Sequence, residues 1–283
     1  MNGNVPARRS TDIPQKRVRR GMYILPSLFT SGNIAAGFYA ILQTMRGSAL
    51  DYSHYDYAAI AIGFAILFDG LDGRIARMTN TVSDFGRELD SLADVITFGV
   101  APALLAYTWG FSQIAANANG QDMLMRVVHV GGIVSFLFLV SGASRLARFN
   151  ISKNPQPKNP GRPGRKYFVG MPIPAGAGIV AAAVHFSPYP LETWWVALLW
   201  AALVMFVGFL MVCTWRFYSG KDLDLGQRQP FYALIAIGGL IALIRFFSQE
   251  VLLSLALGYM FSGIFFRVTY AMRRRPPQAM ATE

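Results

Sequence analysis

Charge is scarce in this chain. Only 14% of its 283 residues are Asp, Glu, Lys or Arg, against about a quarter in an ordinary soluble domain. Cysteine is nearly absent. Cys213 stands alone, which excludes an internal disulfide framework and a cysteine-rich metal centre, and its apolar surroundings read as packing. His54, His129 and His185 are the only histidines and are too scattered to form a ligand set. No internal repeat and no second soluble domain are visible. Nor is a cleavable leader expected, because segment 1–20 is polar and basic and leads into no short apolar stretch with a cleavage site.

Apolar residues fill the space. They make up 53% of the chain, come in long blocks and give a mean hydropathy of +0.36. That pattern excludes a disordered chain, a coiled coil and an ordinary soluble enzyme, and it implies an all-α polytopic membrane protein. Roughly 20 apolar residues cross a bilayer, and eight segments qualify: 24–45, 56–79, 84–110, 127–149, 170–187, 193–214, 229–247 and 250–271.

The net charge of +11 would suggest nucleic acid in a soluble protein. Here topology accounts for it, and no nucleic-acid partner is expected. With the N-terminus in the cytosol, every Lys and Arg except Arg46, Arg126 and Arg245 falls on the cytosolic side. The loops 112–125 and 186–192 carry none. An even number of spans returns the Arg273-Arg274-Arg275 run to the same side. The expected organisation is a basic cytosolic tail (1–22), a membrane catalytic domain (23–272) and a cytosolic C-terminal tail (273–283), set in the cytoplasmic (inner) membrane. Trp194 and Trp195 open a span as interfacial anchors do.

The acidic residues carry the functional signal. Asp69, Asp72, Asp84, Glu88, Asp90 and Asp94 are six of the 15 in the chain and lie within one span end, a short turn and the next span start. A carboxylate at membrane depth is costly unless paired, protonated or bound to metal. Asp84 and Glu88 suit a solvated turn. Asp94 lies some ten residues into its helix and does not. Asp69 and Asp72 are three apart and share a helix face, and Gly86, Asp90 and Asp94 are spaced by four on another. A short turn makes the two helices antiparallel, so the faces can meet. Four bare carboxylates would repel, and divalent cations would remove that repulsion. All-oxygen ligation favours Mg²⁺ or Mn²⁺ over Zn²⁺, and two such ions could clamp a diphosphate. Gly70, Gly73, Ala76 and Gly86 leave room beside the acids, which serves a ligand or close helix packing equally. Arg77 suits a phosphate contact or a basic flank.

The stretch Asp69-Gly-Leu-Asp72-Gly73-Arg-Ile-Ala76-Arg77, followed by Gly86, Asp90 and Asp94, resembles the signature of the CDP-alcohol phosphotransferase family at every defining position. The resemblance implies a six-helix core, a homodimer, a polar cavity open to the cytosol, a CDP-linked lipid donor and CMP as leaving group. It implies that Asp69, Asp72 and Asp90 hold two divalent cations, with Asp94 as general base and further ligand. It also implies that Gly73, Ala76 and Gly86 border the nucleotide and that Arg77 meets phosphate.

Three further segments resemble the phosphatidylserine-forming branch of that family. Leu25-Pro26-Ser27-Leu28-Phe29-Thr30-Ser31-Gly32-Asn33 looks like its first-span opening, with Ser27 in place of Asn. There Thr30 and Asn33 serve either as nucleotide hydrogen-bonders or as polar glue between helices. Ser144-Arg145-Leu146-Ala147-Arg148-Phe149-Asn150 and Phe168-Val169-Gly170-Met171-Pro172-Ile173-Pro174-Ala175 complete the set. Arg145 and Arg148, three apart at a helix end, can point into one cavity and bind serine carboxylate or donor phosphate. They also fit a plain topological role. The substrates implied are CDP-diacylglycerol and L-serine. Glycerol phosphate, inositol phosphate or choline as acceptor keeps the same chemistry. A cation transporter is the remote alternative, and it lacks acidic residues along an outward path.

Overall fold

The computed structural model describes residues 24–79, 84–117, 121–151, 167–218, 238–239 and 241–273. The first two helices, α1 (Ile24–Arg46) and α2 (Ser53–Thr79), form a hairpin. The third is one long helix in three parts: α3 (Asp84–Asp94), a π-helical turn (Val95–Val100) and α4 (Ala101–Asn117). Then come α5 (Asp122–Ile151), strand β1 (Tyr167–Val169), α6 (Ile173–Phe186), α7 (Trp194–Val212), strand β2 (Arg216–Tyr218) and α8 (Ser248–Arg273). Seven of the eight spans read from the sequence are helices here. Most of the eighth, 229–247, lies outside the described residues, as do residues 1–23 and 274–283.

Among the described residues, four helical stretches are long and apolar enough to cross a bilayer: Phe85–Ala116, Asp122–Ile151, Trp194–Val212 and Ser248–Tyr270. α6 is apolar but shorter. α1, 23 residues with no charge before Arg46, is of spanning length, and α2 is long but more polar because it ends in the Asp-rich motif. The chain is a multi-pass membrane protein. Its outer faces carry exposed apolar side chains such as Phe136, Leu199 and Phe265, as a surface facing lipid requires.

The core lies among α2, α4, α5, α6 and α7. Phe98, Leu105, Phe111, Phe138, Ile179 and Leu210 are fully buried there. Trp109 and Trp200 meet edge-on with ring centroids 4.9 Å apart, a geometry aromatic pairs favour. Both indole N–H groups donate to backbone carbonyls, of Ser187 at 3.0 Å and Ala106 at 2.9 Å. At the opposite end of α2 from its aspartates, His185 of α6 joins Asp56 of α2 to Ser248 of α8. This polar clamp ties three helices together.

Two features set the geometry around the acidic motif. The first is the π turn. Pro102 has no N–H to donate, and its ring collides with the carbonyl four residues back. The ladder widens just upstream, and the N–H of Ala101 reaches Ile96 O, five residues away. The second is close helix approach. A Cβ on Gly37 of α1 would fall on Thr97 in the π turn, and the Thr97 hydroxyl donates to Asn33 O at 3.1 Å.

Candidate active site

α2 delivers Asp69, and α3 delivers Asp90 and Asp94. One carboxylate oxygen from each lies within 4.8 Å of the others. Asp69 and Asp90 are half-buried and Asp94 is only 8% exposed. The antiparallel arrangement expected from the spacing is what brings them together. At this separation three negative charges repel strongly in a low-dielectric setting. The donors are all oxygen, and Asp94 Oδ1 is buried with no hydrogen-bond partner. A hard divalent cation fits both observations. Asp72, Ala76 and Arg77 lie on α2 by their backbone, but their side chains are outside the described residues, as is that of Asp84. Gly73 is half-buried on α2 and Gly86 half-buried on the first turn of α3.

α1 forms one wall. Thr30 is buried, and Asn33 is 1% exposed, with its Oδ1 in no hydrogen bond among the described residues. An unbonded buried polar group costs about 1–3 kcal/mol. Asn33 sits against the Asp94 carboxylate, with Arg145 as the positive charge nearest both Asp94 and Asp69.

α5 forms the other wall, and here the two motif arginines part. Arg148 donates to four backbone carbonyls: Val212 at 2.7 Å, Val169 and Met211 at 3.3 Å, and Cys213 at 3.4 Å. It joins the end of α5 to the end of α7 and to β1. Arg145 is 7% exposed and lies over the rings of Phe149 and Phe168, with centroid distances of 5.3 and 5.7 Å. Among the described residues it makes no hydrogen bond. Its donors remain available beside the carboxylates.

The segment after β1 explains the glycine of the Phe-Val-Gly-Met element. Gly170 has φ +75°, and a Cβ there would lie 2.5 Å from Met211 O and 2.7 Å from Cys213 O. Its N–H donates to Trp215 O at 2.8 Å. Pro172 caps α6, and Pro174 lies in its first turn, so the prolines start the helix rather than kink it. β1 pairs antiparallel with β2, Phe168 opposite Phe217.

Several contributors escape a reading of the sequence. Asn150 Nδ2 donates to Ser91 Oγ at 2.9 Å and holds α5 to α3. Tyr259 of α8 donates to Tyr218 O at 3.1 Å and faces Arg145, although the last spans carry no motif. Thr97 had one available signal, its position three residues after Asp94 on the same helix face.

Comparison with known proteins adds an independent line. The family model described as CDP-alcohol phosphatidyltransferase matches residues 23–208. A CDP-diacylglycerol–serine O-phosphatidyltransferase of Helicobacter pylori is 37% identical over 222 residues, which cover 76% of this chain and 80% of that protein. The protein of that name from Mycobacterium leprae is 32% identical over 251 residues, covering 86% of this chain and 72% of its own length. That from Bacillus subtilis is 34% identical over 168 residues, covering 59% and 79% respectively.

Proposed function

The chain belongs to the CDP-alcohol phosphatidyltransferase family, and from that premise we propose that it transfers the phosphatidyl group of CDP-diacylglycerol to the hydroxyl of L-serine, releasing CMP. The observation that carries the reading is the three-carboxylate cluster of Asp69, Asp90 and Asp94 beside a buried Arg145 that makes no hydrogen bond among the described residues. Relatives bearing the serine transferase name over most of their length support the acceptor.

Asp69, Asp72, Asp90 and Asp94 would hold two divalent cations, Mg²⁺ or Mn²⁺. Bound there, the cations neutralise the diphosphate and the charge that develops on the departing CMP. Thr30, Gly73, Ala76, Arg77 and Gly86 border the nucleotide. Arg145 binds the serine carboxylate, bidentate geometry favouring an arginine. Asp94 takes the proton of the serine hydroxyl as its oxygen attacks the lipid-side phosphorus. A new P–O bond to serine forms, and the bond to CMP breaks. Serine hydroxyl is a weak nucleophile, so holding it in line supplies much of the rate. The acyl chains stay in the bilayer. We place the protein in the cytoplasmic membrane as a homodimer, with a catalytic domain over 23–272, cytosolic tails at 1–22 and 273–283, and the site facing the cytosol.

CMP release by the purified protein tests this. The donor is CDP-diacylglycerol with Mn²⁺ or Mg²⁺, and serine, glycerol 3-phosphate, inositol phosphate and choline are supplied one at a time. The expected outcome is CMP with serine alone, lost on chelation and regained with excess metal. Turnover with another alcohol and none with serine would overturn the acceptor assignment.

A further inference from the structure

The sequence leaves Asn33 either as a nucleotide hydrogen-bonder or as polar glue between helices, and its surroundings argue for a third role. Asn33 is 1% exposed, its amide lies within reach of the Asp94 carboxylate, and its Oδ1 is buried with no hydrogen-bond partner among the described residues. Its own backbone carbonyl is engaged by Thr97, three residues beyond Asp94 on the same helix. That contact fixes Asn33 against the face that carries Asp94. The atom of Asp94 without a partner, Oδ1, is buried as well. The Asn33 amide therefore faces the Asp94 carboxylate while its Oδ1 keeps no partner of its own, and the guanidinium of Arg145, which makes no hydrogen bond among the described residues, brings its charge close to Asp94.

The chemistry of an amino-acid alcohol matches this arrangement. In serine the hydroxyl and the ammonium sit on adjacent carbons, and the carboxylate is one bond further. A group that receives the hydroxyl proton must therefore have the partners for ammonium and carboxylate beside it. Arginine has donors only and can take only the carboxylate. Asp69 and Asp90 would be taken up as ligands of the divalent cations. Among the described residues, the amide oxygen of Asn33 is a buried acceptor beside Asp94 with no hydrogen bond of its own. A neutral amide also adds no fourth negative charge to the three carboxylates.

We propose that Asn33 determines specificity for the acceptor: its Oδ1 accepts from the ammonium of the amino-acid alcohol whose hydroxyl lies on Asp94 and whose carboxylate lies on Arg145. The inference rests on the serine reading. It adds that the enzyme recognises the ammonium through α1.

The test uses the full chain with CDP-diacylglycerol and Mn²⁺. Wild-type turnover with serine is measured first, and its absence overturns both this inference and the serine reading. Asn33→Ala is then compared with wild type. Loss of a hydrogen bond to a charged group is expected to raise KM for serine roughly ten- to a hundredfold, with KM for CDP-diacylglycerol changed less than about twofold.

Two competitors give a readout that a merely structural role would not move. 3-Hydroxypropionate lacks the ammonium and serinamide lacks the carboxylate. In Asn33→Ala, the preference for serine over 3-hydroxypropionate should collapse by the same factor, while the preference over serinamide holds. Mn²⁺ affinity, read by electron paramagnetic resonance, should not change. A raised donor KM, an unchanged preference over 3-hydroxypropionate or a weakened Mn²⁺ affinity would each overturn the Asn33 assignment while wild-type serine turnover stands. If Asn33→Ala fails to fold, Asn33→Ser keeps a small polar group in place and is scored by the same ratios.

Discussion

Asp94 is the residue on which the chemistry turns. It is nearly buried, it shares a small volume with Asp69 and Asp90, and one of its oxygens has no partner. Asp94→Asn keeps shape and oxygen donors but removes the basic lone pair. CMP release is expected to fall roughly a hundred- to ten-thousandfold, while Mn²⁺ binding by resonance spectroscopy is largely retained. An active Asp94→Asn protein would remove Asp94 from the role of base. The convergence of these acids was legible in the sequence. Spacings of three and four fix which side chains share a helix face, and the short stretch of sequence between the two helices keeps Asp69 near Asp90 and Asp94 along the chain.

At the scale of elements, Arg148 shows where such reading stops. Its spacing from Arg145 implies a shared cavity, yet its guanidinium joins carbonyls of Val169, Met211, Val212 and Cys213. Those partners lie 21 to 65 residues away in sequence, and no local pattern encodes them. Arg148→Ala would strip the donors from carbonyls at the end of α7 and from β1. The expected loss is on the order of 2 kcal/mol of stability, read as a lower midpoint in detergent unfolding. Arg145→Ala should act differently, raising KM for serine with little change in that midpoint. The glycine in the same region was legible as a motif but not as a necessity. Only the close carbonyls around Gly170 explain why a side chain has no room there.

For the whole molecule, the sequence yields the membrane class and most of the helices, because long apolar blocks have few other solutions in lipid. It is less informative about α1 and α2. The polar residues of α1 and the aspartates of α2 serve the site, and those aspartates lower the hydropathy by which α2 is recognised as a span. Orientation rests on the bias of Lys and Arg, which is open to direct measurement. On a Cys213→Ser background, a Glu192→Cys protein should react with an impermeant maleimide from outside intact cells. A Gln278→Cys protein should react only after the cells are opened. The reverse pattern would turn the site to the outer face.

The π turn after Asp94 has a consequence for how one helix meets two sets of neighbours. One extra residue in a turn is a phase slip of about 100° between the two halves of a helix. Upstream of the slip, α3 keeps time with α1 and α2, where the carboxylates must meet to within a few ångströms. Downstream, α4 keeps time with α5 and α7, where the demand is only that Leu105, Trp109 and Phe111 reach the core. The turn works as a clutch between the two. Each half of one continuous helix can therefore meet its own neighbours in its own phase, the carboxylates on one side of the slip and the core residues on the other.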